Sequence, residues 1–354
     1  MNLLDRYIGR AIAGSTLIVL LALLALFSFG SFVAELDVVG KGDYTLLHAA
    51  QYVLLTLPRL AYQLFPVIAL LGSVIGLGIL ASNNELMVMR AAGVSVLRIA
   101  FAVMKVGILW MVLALILGEY VAPPAERYAQ SMRSTALVER FAVTSDNGLW
   151  ARDGQYFIHI REVPSQNQVN GVSIYEFDEA RRLRTMTVAR SGHYRGDQWL
   201  LAEVSRSRID VNGVSTEHVA QLAWHSLLTP EMIEVVAVKP ASLSVQGLIN
   251  YIRYLKDNGL STDRYNLALW NKLVLPFTTL VMVFLSIPFI FGPLRSVGVG
   301  QRIFVGMLLG IGFYLIDQTF SFVGLVYQFP TALSATLPTL LFLMLALVLM
   351  ARVR

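Results

Sequence analysis

Residues 82–98 read SNNELMVMRAAGVSVLR, a short amphipathic stretch between two long apolar runs. Glu85 follows Ser82 at the spacing of a capping box, which predicts a helix start there. Gly93 is predicted to end the helix, because glycine adopts the left-handed conformation of a helix C-terminus without steric cost. The pattern therefore predicts a helix of about three turns over residues 82–96, lying at the membrane face between two spans.

Two functions fit this helix on its pattern alone. The first is a coupling helix that docks into a cleft of a soluble partner, with Leu86 and Met89 offering apolar contact area. The second is an ordinary interfacial helix of the kind that many membrane proteins carry. The pattern by itself favours the interfacial helix.

The composition is that of an integral membrane protein. Of the 354 residues, 56% are hydrophobic and only 14% are charged, far from the usage of soluble domains. The net charge of +5 indicates no nucleic-acid site, because the chain has no basic run and no basic patch interleaved with aromatic residues. The absence of cysteine excludes disulfides, thiolate metal sites and cysteine nucleophiles.

Six apolar runs are each long enough to cross a hydrocarbon core of about 30 Å. They cover residues 11–34, 46–80, 99–120, 265–291, 303–326 and 330–350. An interfacial helix over Met1–Arg10 precedes the first run, which is interpreted as an uncleaved span. In the second run Gly72, Gly76 and Gly78 lie near one face, where small residues let helices approach closely.

Between the third and fourth runs the composition changes, and a separate all-β domain is predicted over residues 123–240. Stretches such as 156–160 have β character, and Asn170-Gly171 is a typical turn signal. Pro123-Pro124 is predicted to end the third span. The β domain is expected to be a mostly antiparallel sandwich or open barrel of roughly a hundred residues.

The predicted fold class is therefore an α-helical integral membrane protein with a 3+3 arrangement of spans around an inserted β domain. Residues 1–122 form the N-terminal membrane half and residues 241–354 the C-terminal half. The C-terminal half begins with a connector helix over Leu243–Gly259, which has helical spacing and a glycine where a C-cap is expected.

Positive charge in the short loops and tails predicts the orientation. One side collects Arg6, Arg10, Arg90, Arg98, Arg295, Arg302, Arg352 and Arg354. The opposite side has Lys41 beside acidic residues and an uncharged turn at 327–330. Both termini and residues 82–98 are therefore predicted to be cytoplasmic, with the β domain on the other side of the membrane.

The sequence carries none of the common catalytic motifs, and this pattern favours a protein that is not an enzyme. The Gly40-Lys41 pair lacks the upstream glycine of a P-loop, and there is neither an HExxH nor a GxSxG motif. The five histidines have no metal-ligand spacing. No metal and no cofactor are therefore expected on this chain.

The remaining candidates for functional residues are two ionisable residues in the spans and three cations outside them. Asp317 lies in the outer half of the fifth span, and Lys272 enters the fourth span from the same side. A structural pair is favoured over a proton or substrate relay, because no further carboxylates continue the path. Lys41, Arg127 and Arg133 are either contacts for an anionic lipid headgroup or solvated surface charges, and surface charge is the simpler interpretation.

Six stretches taken in chain order resemble the LptF/LptG permeases of lipopolysaccharide export, and the LptG branch more closely. They are LDRYIGR, NELMVMRAAGVS, VAPPAE, GLWARDGQYF, YIRYLKDNG and IFGPLRS, and together they cover essentially the whole chain. The resemblance reverses the preference at residues 82–98. It implies that Glu85 stands where the coupling helix contacts an ATPase, with Leu86, Met89 and Arg90 beside it.

The same resemblance implies the partners and the location. It implies a heterodimer with an LptF-like permease, two copies of a cytoplasmic ABC ATPase that uses ATP and Mg, and an LptC-like periplasmic jellyroll protein with a membrane anchor. The protein would lie in the bacterial inner membrane, with a periplasmic jellyroll-like domain of its own. Lipopolysaccharide would enter between spans, with the first and fifth as gates.

The sequence departs from the family pattern at the cations expected to meet the lipid. Asp37 and Val38 stand where a family member carries two lysines, and Gln130 stands where one of two arginines would be. Arg133 matches the other arginine. Three alternatives to this function stay open on the sequence: a membrane-anchored scaffold or receptor, a lipoprotein-release permease and a membrane-embedded hydrolase.

Overall fold

The structure, a computed structural model, describes residues 3–138, 149–153, 155–165, 167–178, 182–195, 198–210, 213–224, 240, 243–291 and 298–352. Within them, the helices before the sheet are α1 (Leu3–Leu36), α2 (Leu46–Ser82), α3 (Glu85–Ala91), α4 (Val96–Ile116) and α5 (Ala122–Val138), with a π-helical segment (Leu117–Val121) between the last two. The helices after the sheet are α6 (Val245–Asp257), α7 (Asp263–Phe291), α8 (Val299–Val326) and α9 (Thr331–Ala351).

The six predicted spans are confirmed as helices long and apolar enough to cross a membrane, within the described part of the chain. They are α1, α2, the continuous α4–α5, α7, α8 and α9. The interfacial helix predicted over Met1–Arg10 is continuous with the first span from Leu3 onward, because α1 runs unbroken from that residue. Its polar start contacts α4 through Asp5, which pairs with Arg98 and Lys105.

The third span extends beyond its predicted end. Pro123-Pro124 was expected to stop it, but the helix continues to Val138 as α5. The π-helical segment directly precedes the prolines. There the Ala122 N–H bonds to the Leu117 carbonyl five residues back, so the regular α-helical ladder is already interrupted where the prolines, which lack an N–H, follow. Because α5 packs along α2, the domain boundary predicted at 122/123 falls inside the helical body, and the first described strand starts at Leu149.

Small residues on α2 bring it against α1, as predicted. A Cβ atom added at Gly76 would lie 2.8 Å from the Ile12 Cα, and one at Gly72 would overlap Thr16. Gly78 meets a different neighbour, the side chain of Arg302 on α8. The backbones of α1 and α2 therefore touch along the stretch that leads to α3.

Alanine at Gly76 is expected to lower the stability of the folded chain by about 1–3 kcal/mol, the usual cost of overpacking. The matched control is Gly14→Ala on α1, where an added Cβ has nothing within 4 Å. That change is expected to be neutral or stabilising, since alanine favours a helix. Thermal unfolding midpoints in detergent measure both, and equal midpoints would contradict the close packing.

The β domain is a six-stranded antiparallel sheet in the order β1 (Leu149–Asp153), β2 (Tyr156–Ser165), β3 (Gln168–Phe177), β4 (Leu183–Arg195), β5 (Gln198–Asp210) and β6 (Gly213–Trp224). The all-β prediction is confirmed. Consecutive strands pair as hairpins, so the described strands form a meander, without the crossovers that distinguish a jelly roll.

The middle strands of this sheet share a row of positions without ladder pairs. The ladder pairs skip Gly171 of β3, Arg190 of β4 and Glu203 of β5, while the register on either side is unchanged, and Gly171 and Glu203 have φ of +63° and +51°. The buried positions change phase there, from Val169 to Val172 along β3. Asn170-Gly171, predicted as a turn, therefore lies inside a strand, and that prediction is wrong.

Helix α6 joins the β domain to the membrane helices. Tyr251, Tyr254 and Leu255 belong to one hydrophobic cluster with Ile158 and Trp199 of the sheet. The predicted connector helix is confirmed, and Gly259 just beyond it has φ of +64°. Two arginines used to predict the orientation, Arg295 and Arg354, lie outside the described residues.

Candidate functional site

The 82–98 segment contains a shorter helix than predicted. Ser82 still belongs to α2, where its hydroxyl donates to the Ile79 carbonyl. Asn84 then adopts a left-handed conformation, with φ of +60°, and α3 covers only the seven residues Glu85–Ala91. The capping box between Ser82 and Glu85 is therefore absent, because the two residues lie on different helices.

The predicted helix end at Gly93 is confirmed. Gly93 has φ of +86°, its N–H donates to the Arg90 carbonyl at 3.0 Å, and the Val94 N–H donates to the Met89 carbonyl at 3.0 Å. This is a Schellman motif, in which Val94 also packs with Met89 on the main hydrophobic cluster. This motif thus fixes the direction in which the chain leaves α3 toward α4.

The two faces of α3 have opposite surroundings. Leu86 is 4% exposed and lies in the core of the membrane body, with Met89 packed at its margin. Met87 and Val88 are 54% and 65% exposed. Leu86 therefore holds α3 to the rest of the chain, while the exposed apolar area of α3 lies on Met87 and Val88.

Glu85 has partners within the chain. The Tyr7 hydroxyl of α1 donates to its Oε2 at 2.6 Å, and the Asn83 amide nitrogen donates to Oε1 at 3.3 Å. The carboxylate is half-buried at the start of α3, next to exposed Met87 and Val88. Arg90, also exposed, stands in the last turn.

Asp5 fixes the start of α1 against α4 beside this site. It is nearly fully buried, and its two carboxylate oxygens contact Arg98 Nη2 at 2.7 Å and Lys105 Nζ at 2.6 Å. Arg98 and Lys105 are two turns apart on α4, so one carboxylate bridges both cations. Asp5 thus fixes the first turns of α1 to α4, and Tyr7 in the same turns contacts Glu85 of α3.

A second polar cluster lies at the opposite end of the helical body. Arg133 of α5 donates to Glu35 at 2.5 Å, and its guanidinium stands 5.4 Å from the centre of the Tyr52 ring. The Tyr44 hydroxyl donates to the same carboxylate at 2.9 Å. Burial first, and then that hydrogen bond, raise the pKa of Tyr44, so its phenol stays protonated and donates.

The three cations singled out from the sequence have different environments. Lys41 and Arg127 are exposed, whereas Arg133 is held by Glu35. Gln130, at the position of the second family arginine, donates to Tyr52 and Glu126 at 3.2 and 3.0 Å. Only Lys41 and Arg127 of the three present their charge to the surroundings in this conformation.

The expected pair of Lys272 with Asp317 is not formed. Lys272 Nζ lies 3.9 Å from Glu119 and donates to the carbonyl of Leu243. Asp317 is half-buried on α8 and makes no ion pair with any residue that the structure describes. Glu119 is not conspicuous in the sequence, because it lies at the very end of the third apolar run.

Four acidic or phenolic residues were missed, and all of them stand near the ends of apolar runs. They are Asp5, Tyr7, Glu35 and Glu119. An ionisable residue at the edge of a span is costly unless it is paired, and that was the available signal. Over the described residues, no group of three histidine or acidic side chains is arranged to hold a metal ion.

The chain is similar over nearly its whole length to permeases of lipopolysaccharide export. The family model of the lipopolysaccharide export system permeases LptF/LptG matches residues 6–352. The chain is 37% identical over 354 residues to the lipopolysaccharide export system permease protein LptG of Escherichia coli K12, covering 99% of this chain and 98% of that protein. It is 36% identical over 356 residues to LptG of Haemophilus influenzae Rd, covering 100% and 99%.

Proposed function

The chain belongs to the LptF/LptG family of lipopolysaccharide export permeases, and on that premise we propose how it works. It is the membrane subunit of an ABC transporter that extracts lipopolysaccharide from the outer leaflet of the inner membrane and passes it toward the outer membrane. The observation that supports this most is the placement of an exposed docking helix and a β domain on one six-span chain. Such a chain receives force at α3 and delivers lipid at the sheet.

A separate cytoplasmic ATPase supplies the energy, in two copies, and binds the ATP and Mg. Met87 and Val88 of α3 enter its cleft, and Glu85 and Arg90 make charged contacts at the rim. Leu86 holds α3 to the permease from behind. Because α3 is braced by its own chain, closure of the ATPase dimer moves the attached spans instead of unwinding the helix.

An LptF-like permease completes the membrane part. In α1 no residue of the most apolar 18-residue stretch is buried within this chain, and in α8 only 17% are, against 72% in α2. These two spans therefore present apolar faces that a second permease or lipid covers. We place the lateral gates for lipid at α1 and α8.

Lipid headgroup contacts form at the end of the helical body that carries the β domain. Lys41 and Arg127 are exposed there and offer cations to the phosphates of lipopolysaccharide. Arg133 joins them only when it leaves Glu35. The β domain then passes the lipid to an LptC-like periplasmic protein. In this orientation both termini and α3 are cytoplasmic.

Purification from native membranes in a gentle detergent tests the assembly. An epitope on this chain is expected to retain a second permease and an ATPase in a ratio of one to one to two. Isolation of the chain alone would contradict the proposal and would favour the membrane-anchored scaffold. A matched preparation that carries Met87→Asp and Val88→Asp is expected to keep the second permease and lose the ATPase.

A further inference from the structure

Three chain segments meet at Glu119 and Lys272. The Glu119 Oε2 atom accepts the backbone N–H of Val245, the first residue of α6, at 2.8 Å. Lys272 of α7 lies 3.9 Å from the same oxygen and donates to the carbonyl of Leu243, just before α6. One carboxylate and one ammonium thus hold both the N–H and the C=O groups at the start of α6.

The backbone around Glu119 is itself specialised. Glu119 lies within the π-helical segment, a rare conformation that often marks functional positions in long helices. Gly118 beside it lies directly against the Tyr62 ring of α2, so that any Cβ would overlap the ring. The Tyr62 hydroxyl donates to the Lys272 carbonyl at 3.1 Å. Helix α2 therefore touches both sides of the Glu119–Lys272 pair.

The other half of α6 is embedded in the β domain. Tyr251, Tyr254 and Leu255 are buried in its hydrophobic cluster, and Tyr251 also meets Tyr265 of α7 edge to face at 4.6 Å. A helix of 13 residues is about 20 Å long and forms a stiff connection between the membrane helices and the sheet. Any displacement of its first turn is therefore carried into the sheet.

Helix α2 connects this pair with α3. Tyr62 lies 20 residues before Ser82, which is about 30 Å along a helix at 1.5 Å per residue. At its far end α2 is followed directly by α3, whose Leu86 packs into the same core. A single helix thus spans the distance from the α3 surface to the contacts with Lys272 and Gly118.

We infer that Glu119 and Lys272 are positioning residues that fasten the β domain to the membrane helices, so that movement driven at α3 changes the position of the β domain during lipid transfer. This inference rests on the proposed function, because it takes the movement from an ATPase bound at α3. Neither residue contacts the lipid in this role. They act through α6.

Glu119, Lys272 and the start of α6 form a joint, and this joint is sensitive to the loss of either side chain. The side chain of Lys272 is only 8% exposed, so removing Glu119 leaves a nearly buried ammonium without its counter-charge. Glutamine at 119 keeps an acceptor for the Val245 N–H but loses the ion pair, whereas alanine loses both. We therefore expect Glu119→Ala to disturb the position of α6 more than Glu119→Gln does.

The experiment measures the position of α6 in the full transporter complex. The chain has no native cysteine, so spin labels at Lys256→Cys on α6 and Tyr128→Cys on α5 report one distance. Both side chains are exposed. The wild-type complex is expected to give a narrow distance distribution that shifts when the ATPase is trapped with a nucleotide analogue.

In Glu119→Ala the distribution is expected to broaden and to lose its response to nucleotide. ATPase association should be retained and lipopolysaccharide release should fall about tenfold or more, in proportion to the loss of a charge-assisted hydrogen bond. The control is Glu126→Gln, two turns further along the same helix, whose carboxylate contacts Arg59 and not α6. Resistance of the β domain to limited proteolysis verifies that it is still folded.

The outcomes separate the two proposals. A narrow distribution that still responds to nucleotide in Glu119→Ala and in Lys272→Met would overturn the joint, whether or not lipid is released. A wild-type complex that hydrolyses ATP without releasing lipopolysaccharide would overturn the proposed function instead. A loss of thermal stability with an unchanged distance response would show a purely structural pair and would also overturn the joint.

Discussion

Replacing Glu85 with lysine is expected to reduce ATP-driven release of lipopolysaccharide by roughly thirtyfold or more, the effect of losing a strong interface contact. Glu85 stands at the start of α3 beside exposed Met87 and Val88, where a docked ATPase would meet it. Reversal of the charge places a cation where the ATPase surface would be complementary to an anion. Binding of the ATPase is therefore weakened, as well as the transmission of its movement to the permease. Release from proteoliposomes and the amount of ATPase retained on purification both measure the effect.

The control for this variant is Tyr7→Phe. It removes the donor to the Glu85 Oε2 atom and keeps the carboxylate, so it separates the internal contact from the external one. Release is expected to stay within a few-fold of wild type. Normal release by Glu85→Lys would support the scaffold or receptor alternative, in which α3 carries no force.

Replacing Trp199 with alanine is expected to destabilise the β domain by about 3–5 kcal/mol, the usual cost of emptying a large buried site. Trp199 is 2% exposed, packs edge to face on Tyr194 at 5.2 Å and lies in the cluster that also receives α6. Loss of this core releases α6 as well as the sheet. Lipid transfer is therefore expected to fail while the ATPase stays bound.

Trp150→Ala is the matched control in the same sheet. Trp150 is 56% exposed and lies on the opposite face of β1 from the buried Ala151. Its removal should cost about 1 kcal/mol or less, since only its ring contacts with His159 and Tyr175 are lost. Denaturation followed by near-UV circular dichroism compares the two variants, and equal midpoints would contradict the assignment of the core.

The features that sequence predicted well depend on local signals. A long apolar run, a strand-like stretch such as 156–160 and a helix end at Gly93 are each recognisable from neighbouring residues, and each is confirmed. The continuation of the third helix through Pro123-Pro124 could not be predicted in this way. It depends on a π-helical segment and on packing of α5 against α2, which are tertiary effects.

The sequence also could not predict which charged residues pair with each other. Asp317 and Glu119 are both acids within apolar runs, and only the three-dimensional packing shows that Glu119 is the one that lies next to Lys272. The same holds for Leu86 on α3. Periodicity divides a short helix into two faces, but it does not say which face meets the chain's own core and which meets a partner.

Site-specific photocrosslinking of lipopolysaccharide tests the central claim most directly. The reactive residue is placed at Lys41, beside the proposed entry, and separately at Leu222 on β6, at the margin of the β-domain core. We predict crosslinks at Lys41 without nucleotide, and at Leu222 only while ATP is hydrolysed. Crosslinks at neither position, or at Leu222 in the absence of ATP, would contradict transfer driven from α3 to the β domain.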